Sequence, residues 1–192
     1  MAKVYGVELK NVIIDSGFEN YRAQATIYLD GIEVGFFLDD GNGGTSIIKF
    51  SCDINIKSRF YYVAWRYFAS YPDIDSSALL EFTQKEFIEY KSNLPKIDYK
   101  EWPDEKVAVF FVEKLLYLFQ IEEQYSMATS EGYVAIAVVR FFTLKNVKAE
   151  PDRIFYFDNS AEQLNEIIAQ LGNKSLNYII RTYSCEADFD IR

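Results

Sequence analysis

The 192-residue sequence contains no histidine, and that absence removes more chemistry than any other feature of the chain. Without imidazole there is no Ser-His-Asp or Cys-His arrangement, and no histidine to complete a zinc site. Cysteine is nearly missing too. Cys52 and Cys185 stand far apart without Cys-x-x-Cys spacing, so both are expected to be buried or inert thiols. No Gly-x-Ser-x-Gly elbow is present to hold a serine nucleophile. Long apolar runs are lacking: Val107 to Val112 and Tyr133 to Val139 fall far short of the ~20 residues a membrane helix needs. The opening Met1-Ala-Lys-Val-Tyr-Gly6 enters an alternating pattern with no basic-then-apolar leader, so the expectation is a cytoplasmic protein with no membrane contact.

Aromatic residues, by contrast, are abundant. They make up 17% of the chain and hydrophobic residues 49%, which with nine Gly and four Pro describes a sequence that folds around a core. Positive charge is in deficit, 20 Lys and Arg against 29 Asp and Glu, a net −9 that repels a phosphate backbone. Such a surface can instead compete for a basic groove, because carboxylates can replace phosphates opposite Arg and Lys. The acidity is dense from Asp73 to Glu105, with nine acidic residues against four lysines. Asp73, Asp75, Glu81, Glu86, Glu89, Asp98 and Glu101 are therefore candidates for contact with a basic partner; the alternative is a solvated helical face.

Hydrophobic patterning predicts an α+β protein: an N-terminal antiparallel β-meander, a helical segment, and a C-terminal α/β portion with a mainly antiparallel sheet. The meander occupies 1–52 and an α+β body 53–192. Alternation from Val4 to Ile14 breaks near Lys10-Asn11, the mark of a bulge or bend. Asp30-Gly31 between Tyr21–Leu29 and Ile32–Leu38 predicts a two-residue hairpin turn, and Asp39 to Gly44 a second turn before a strand ending at Phe50. Helical spacing then predicts helices over 56–70, 77–91, 104–124 and 161–171. Strands are expected over 132–145, 152–158 and 176–183, and the acidic end from Glu186 to Arg192 is expected to be loose. Helix 104–124 keeps a polar stripe at Lys106, Glu113 and Gln120 on an otherwise apolar surface and should be central.

The glycine-rich loop Gly41-Asn-Gly-Gly44 is not a phosphate cradle. A strand follows it rather than a Lys and a helix, and Asp39 and Asp40 would repel phosphate. Carboxylates adjacent in sequence, Asp39 with Asp40 or Glu122 with Glu123, diverge on strand or helix and make no automatic metal clamp. No catalytic, cofactor-binding or metal-ligating residue is expected, and no cofactor. The run Arg59-Phe-Tyr-Tyr-Val-Ala-Trp-Arg66 interleaves cations with aromatics, and Arg59 and Arg66, seven apart, share one helix face. That face is the best basic candidate for a partner contact.

The opening Lys3-Val-Tyr-Gly-Val-Glu-Leu-Lys-Asn-Val12, with Tyr28-Leu-Asp-Gly31 and Asp40-Gly-Asn-Gly-Gly44, resembles the N-terminal region of small proteins carried by phages and conjugative elements of Gram-positive bacteria. Some of those proteins are type II anti-CRISPR proteins, inhibitors of Cas9. The resemblance covers about the first fifty residues. It implies an anti-defence protein of the bacterial cytoplasm whose partner is a protein, Cas9 or its guide-RNA complex, with direct nucleic-acid contact a lesser expectation. Two other functions fit the residues: an immunity protein neutralising a cognate toxin, and a histidine-free, metal-dependent nuclease acting on guide RNA.

Overall fold

Asp30 and Gly31 have φ of 51° and 80°, the pair of positive values a tight hairpin turn requires. They join β3 (Tyr21–Leu29) to β4 (Ile32–Asp39) in antiparallel register, with Leu29 opposite Ile32. The computed structural model describes residues 2–16, 21–41, 46–70, 103–142, 153–158, 166 and 177–192. Among these, β1 (Lys3–Val4) and β2 (Val7–Ser16) form a second tight hairpin through Tyr5 and Gly6, also at positive φ (48° and 85°). The break expected near Lys10-Asn11 is present: the β2–β3 register shifts between Lys10 and Ile13, and Asn11 has φ 51°. Then come β5 (Ile47–Phe50), α1 (Ile54–Ser70), α2 (Asp104–Ser130), β6 (Ala135–Phe142), β7 (Arg153–Phe157), β8 (Asn177–Tyr183), a 3-10 turn (Glu186–Phe189) and β9 (Asp190–Ile191). The protein is α+β, with a meander, helices and a smaller antiparallel sheet, as the patterning predicts.

The described residues fall into two compact units. One comprises those of Met1–Asp73, Asp98–Glu122 and Phe189–Arg192, the other those of Glu123–Asp188. The first unit contains a six-stranded sheet ordered β5-β4-β3-β2-β1-β9. Alternation along β3 puts Ala23, Ala25, Ile27 and Leu29 on its buried face, and β4 adds Phe37. The apolar stripe of α1 (Phe60, Val63, Ala64) and the first part of α2 (Val107, Phe111, Val112, Leu115) complete the core. Rings interlock there, Phe60 standing 6.1 Å from Phe50 and 6.0 Å from Phe111. Asp53 caps α1, its Oδ1 accepting from the N–H groups of Asn55 (2.7 Å) and Ile56 (3.1 Å).

The second unit carries the three-stranded antiparallel sheet β7-β6-β8. Ala135 through Val139 are all buried, the mark of a strand covered on both faces.

Several features differ from expectation, beginning with α1, which starts at Ile54 rather than at 56 because Asp53 caps it. The second described helix runs on from 124 to Ser130, because Tyr125 to Ser130 holds no breaker and the turn waits for Glu131-Gly132. For the same reason β6 begins at Ala135 rather than at 132. The acidic C-terminus, expected to be loose, is ordered by pairing: β9 lies parallel to β1 and Tyr5 donates its N–H to the Ile191 carbonyl at 2.8 Å. Phe189 is fully buried beside it in sequence. The helix expected over 77–91 lies outside the described residues, as does all of 161–171 except Glu166, which is helical.

Candidate functional site

The two hairpin turns of the meander meet. Asp30 donates its backbone N–H to the Gly6 carbonyl at 3.0 Å, and the Asp30 carboxylate lies against Gly6 where a Cβ would otherwise stand. Only glycine leaves that room and also tolerates the left-handed backbone. From this position Asp30 Oδ2 accepts from Arg59 Nη2 at 2.9 Å. Tyr5, whose positive φ costs on the order of 1–2 kcal/mol in a non-glycine residue, presents its ring to Arg66, whose guanidinium carbon stands 4.2 Å from the ring centroid. Each arginine of α1 is thus held by a turn of the meander: Arg59 by an exposed ion pair, Arg66 by a cation–π stack.

Between them lies Tyr62, 69% exposed. At 1.5 Å rise per residue Arg59 and Arg66 are about 10 Å apart along the axis, with Tyr62 in the interval. The opposite edge of α1 is anchored to the first turn of α2: Tyr61 donates its hydroxyl to Glu105 Oε1 (3.1 Å) and Trp65 its indole N–H to Asp104 Oδ1 (2.8 Å). Burial first, then the Glu105 carboxylate, pushes the Tyr61 hydroxyl up from its ordinary value, so it stays a donor. Lys57 completes this seam, 4.5 Å over the Phe50 ring. The exposed face of α1 therefore sits on a fixed base.

Of the residues singled out from the sequence, Arg59 and Arg66 do share one exposed face, and both make intramolecular contacts there. Asp73, Asp75, Glu81, Glu86, Glu89, Asp98 and Glu101 lie outside the described residues. Tyr62 was hidden in the sequence by its aromatic neighbours; its offset from the Phe60, Val63, Ala64 stripe is the signal that separates it. Among the described residues no group of three or more Cys, Asp or Glu could hold a metal ion, and no helix is long and apolar enough to cross a membrane.

A second cluster lies in the same unit. Ser46, nine-tenths buried, has its hydroxyl 3.0 Å from Glu113 Oε1 and 3.3 Å from Asp39 Oδ2. Asp39 Oδ1 accepts from the Gly41 N–H at 2.9 Å. Of these groups, Asp39 and Glu113 border a cleft of about 370 Å³ that Phe37, Leu116, Tyr117 and Gln120 also line. One hydroxyl carries one hydrogen and cannot donate fully to two carboxylates. Ser46 Oγ thus divides a single hydrogen between the Glu113 and Asp39 carboxylates, so two acidic groups meet at one buried hydroxyl. Burial, helped by the Asp39 charge, raises the Glu113 carboxyl above its ordinary range despite the opposing effects of Ser46 and Lys114.

Glu113 in the folded state therefore binds its proton at pH values where the unfolded chain has released it. Stability attributable to it is fully present below the ordinary Glu pKa of about 4.3 and is lost as pH rises through the raised folded value. Glu113→Gln should remove this pH dependence. It should also raise the thermal midpoint at neutral pH, where the wild-type side chain must either hold a proton or carry a half-buried charge beside Asp39. Thermal unfolding of both proteins from pH 4 to 8 checks this. Parallel midpoint curves would show that Glu113 carries no extra proton.

Compared with protein-family models, curated proteins and solved structures, the chain matches none. What the site can do rests on its own geometry. A fixed pair of guanidiniums flanks an exposed phenol on a rigid helix, an arrangement that presents directional donors and an apolar ring at little entropic cost.

Proposed function

We propose that this protein is a mobile-element anti-defence protein that acts by binding, with Cas9 or its guide-RNA complex as the target. The observation that carries the reading is the seating of Arg59 and Arg66 on the Tyr5-Gly6 and Asp30-Gly31 turns. Those turns belong to the N-terminal segment that resembles the mobile-element proteins. The segment that carries the resemblance is then also the one that organises the exposed arginine face. A net charge of −9 also disfavours direct binding to nucleic acid, in keeping with a protein target.

Purified protein titrated into guide-loaded Cas9, with target-DNA cleavage as the readout, tests the proposal. Inhibition that saturates near one protein per complex is the expected outcome. Unaltered guide loading and cleavage across several Cas9 orthologues would remove the reading.

A further inference from the structure

The 17 residues of α1 include no Asp or Glu, in a chain with 29 of them. The outward positions of the helix are Ile54, Asn55, Ser58, Arg59, Tyr62 and Arg66. At 100° per residue these occupy an arc of about 140° with Tyr62 at its middle. Two of the six, Ile54 at 71% and Tyr62 at 69%, are large apolar side chains open to solvent. Tyr and Arg are the residues most enriched at binding hot spots, while Lys, Glu and Asp are depleted at interface centres, and this face has that composition. Its charge is opposite in sign to that of the rest of the chain.

We propose that this face of α1 docks onto an acidic protein surface, a shallow apolar notch rimmed by carboxylates. Tyr62 fills the notch, and Arg59 and Arg66, about 10 Å apart, each take a rim carboxylate. Arg66 keeps its stack on Tyr5, because guanidinium bonds carboxylates through its edge and aromatics through its face. Arg59 can share its fork between Asp30 and the partner. A protein fits better than a nucleic acid. Two arginines, one already paired, neutralise few phosphates, and an extended phosphate backbone would run past them onto acidic surface, whereas a local carboxylate rim meets only the arginine face of α1. The inference rests on the reading of the protein as a binding inhibitor and assigns the surface through which it binds.

Tyr62 is exposed enough to be replaced without touching the core. The full chain carrying a photo-crosslinking benzoylphenylalanine in place of Tyr62 is mixed with guide-loaded Cas9, irradiated, and the adduct mapped. The same group replacing Tyr156, in the second unit and 43% exposed, serves as control. A protein adduct at an Asp/Glu-rich segment is expected from position 62 and not from 156, together with about 30-fold weaker binding by Tyr62→Ala, the loss of one hot spot. An adduct on the guide RNA would overturn the assignment in favour of a nucleic-acid contact. A complex that forms without an adduct at 62 and is unaffected by Tyr62→Ala would overturn the assigned surface while leaving the inhibitor reading in place. Absence of any complex would remove both.

Discussion

Phe60→Ala should cost about 3–5 kcal/mol, the range for deleting a fully buried aromatic ring. Phe60 has no solvent exposure and stands where sheet, α1 and α2 converge, with its ring against Phe50 of β5 and Phe111 of α2. Truncation removes the transfer free energy of the ring and leaves a cavity whose walls are themselves rings, Phe111 being further held by Tyr67 at 5.4 Å. Rings fixed from several sides relax poorly into a void, which puts the cost in the upper part of the range. Urea unfolding followed by circular dichroism measures it. Phe110→Ala, at a position 36% exposed, should cost well under half as much. Equal losses at the two positions would show that Phe60 is not the centre of this core.

The second large effect is expected at Gly35. A Cβ there would run into the Lys49 carbonyl and lie 2.9 Å from Phe50 Cα and 3.0 Å from the Lys49 carbonyl carbon. These are backbone atoms of the paired strand, and they cannot swing aside as a flexible side chain could. Gly35→Ala must therefore spread β4 from β5 where Gly35 pairs with Phe50, loosening the ring that Phe60 packs against. Forced overpacking of this kind costs about 1–3 kcal/mol, and more where backbone must move. Gly31→Ala is the natural comparison: it has open space around its Cβ position and only its positive φ to resist substitution. Amide hydrogen exchange should show faster exchange along β5 in Gly35→Ala. Unchanged β5 protection with unchanged stability would contradict the close approach.

Local signals in the sequence carried most of the fold. Asp30-Gly31 announces its hairpin because few residue pairs tolerate two positive φ values, and the Lys10-Asn11 irregularity follows from an alternation that fails there. The core face of α1 follows from the spacing of Phe60, Val63 and Ala64. Pairing between distant short segments was not legible. β9 is two residues long and gains its place from β1, nearly the whole chain away, so no local pattern could mark it. Tyr5-Gly6 was equally silent, since tyrosine is not a usual turn residue. Its left-handed backbone is held by the Ile191 carbonyl and its ring is covered by Arg66.

The candidate site was legible to a similar depth. A seven-residue spacing put Arg59 and Arg66 on one face, but Asp30 and Tyr5 as their supports depend on two turns meeting in space. Glu113 stood out as a carboxyl within an apolar helix. Its sharing of Ser46 with Asp39 is a tertiary contact that helical periodicity does not encode.

The most direct measurement is the affinity of guide-loaded Cas9 for the wild-type protein and for the Arg59→Ala/Arg66→Ala double variant, with the thermal midpoint of each taken alongside. Both side chains are exposed and their intramolecular contacts lie at the surface, so the midpoints should agree to within a few degrees. Wild type should bind and the double variant should bind at least about 30-fold more weakly, the loss of ~2 kcal/mol or more from the docking face. Equal binding by two equally stable proteins would contradict the role given to the arginine face, and no binding by wild type would contradict the proposed function itself.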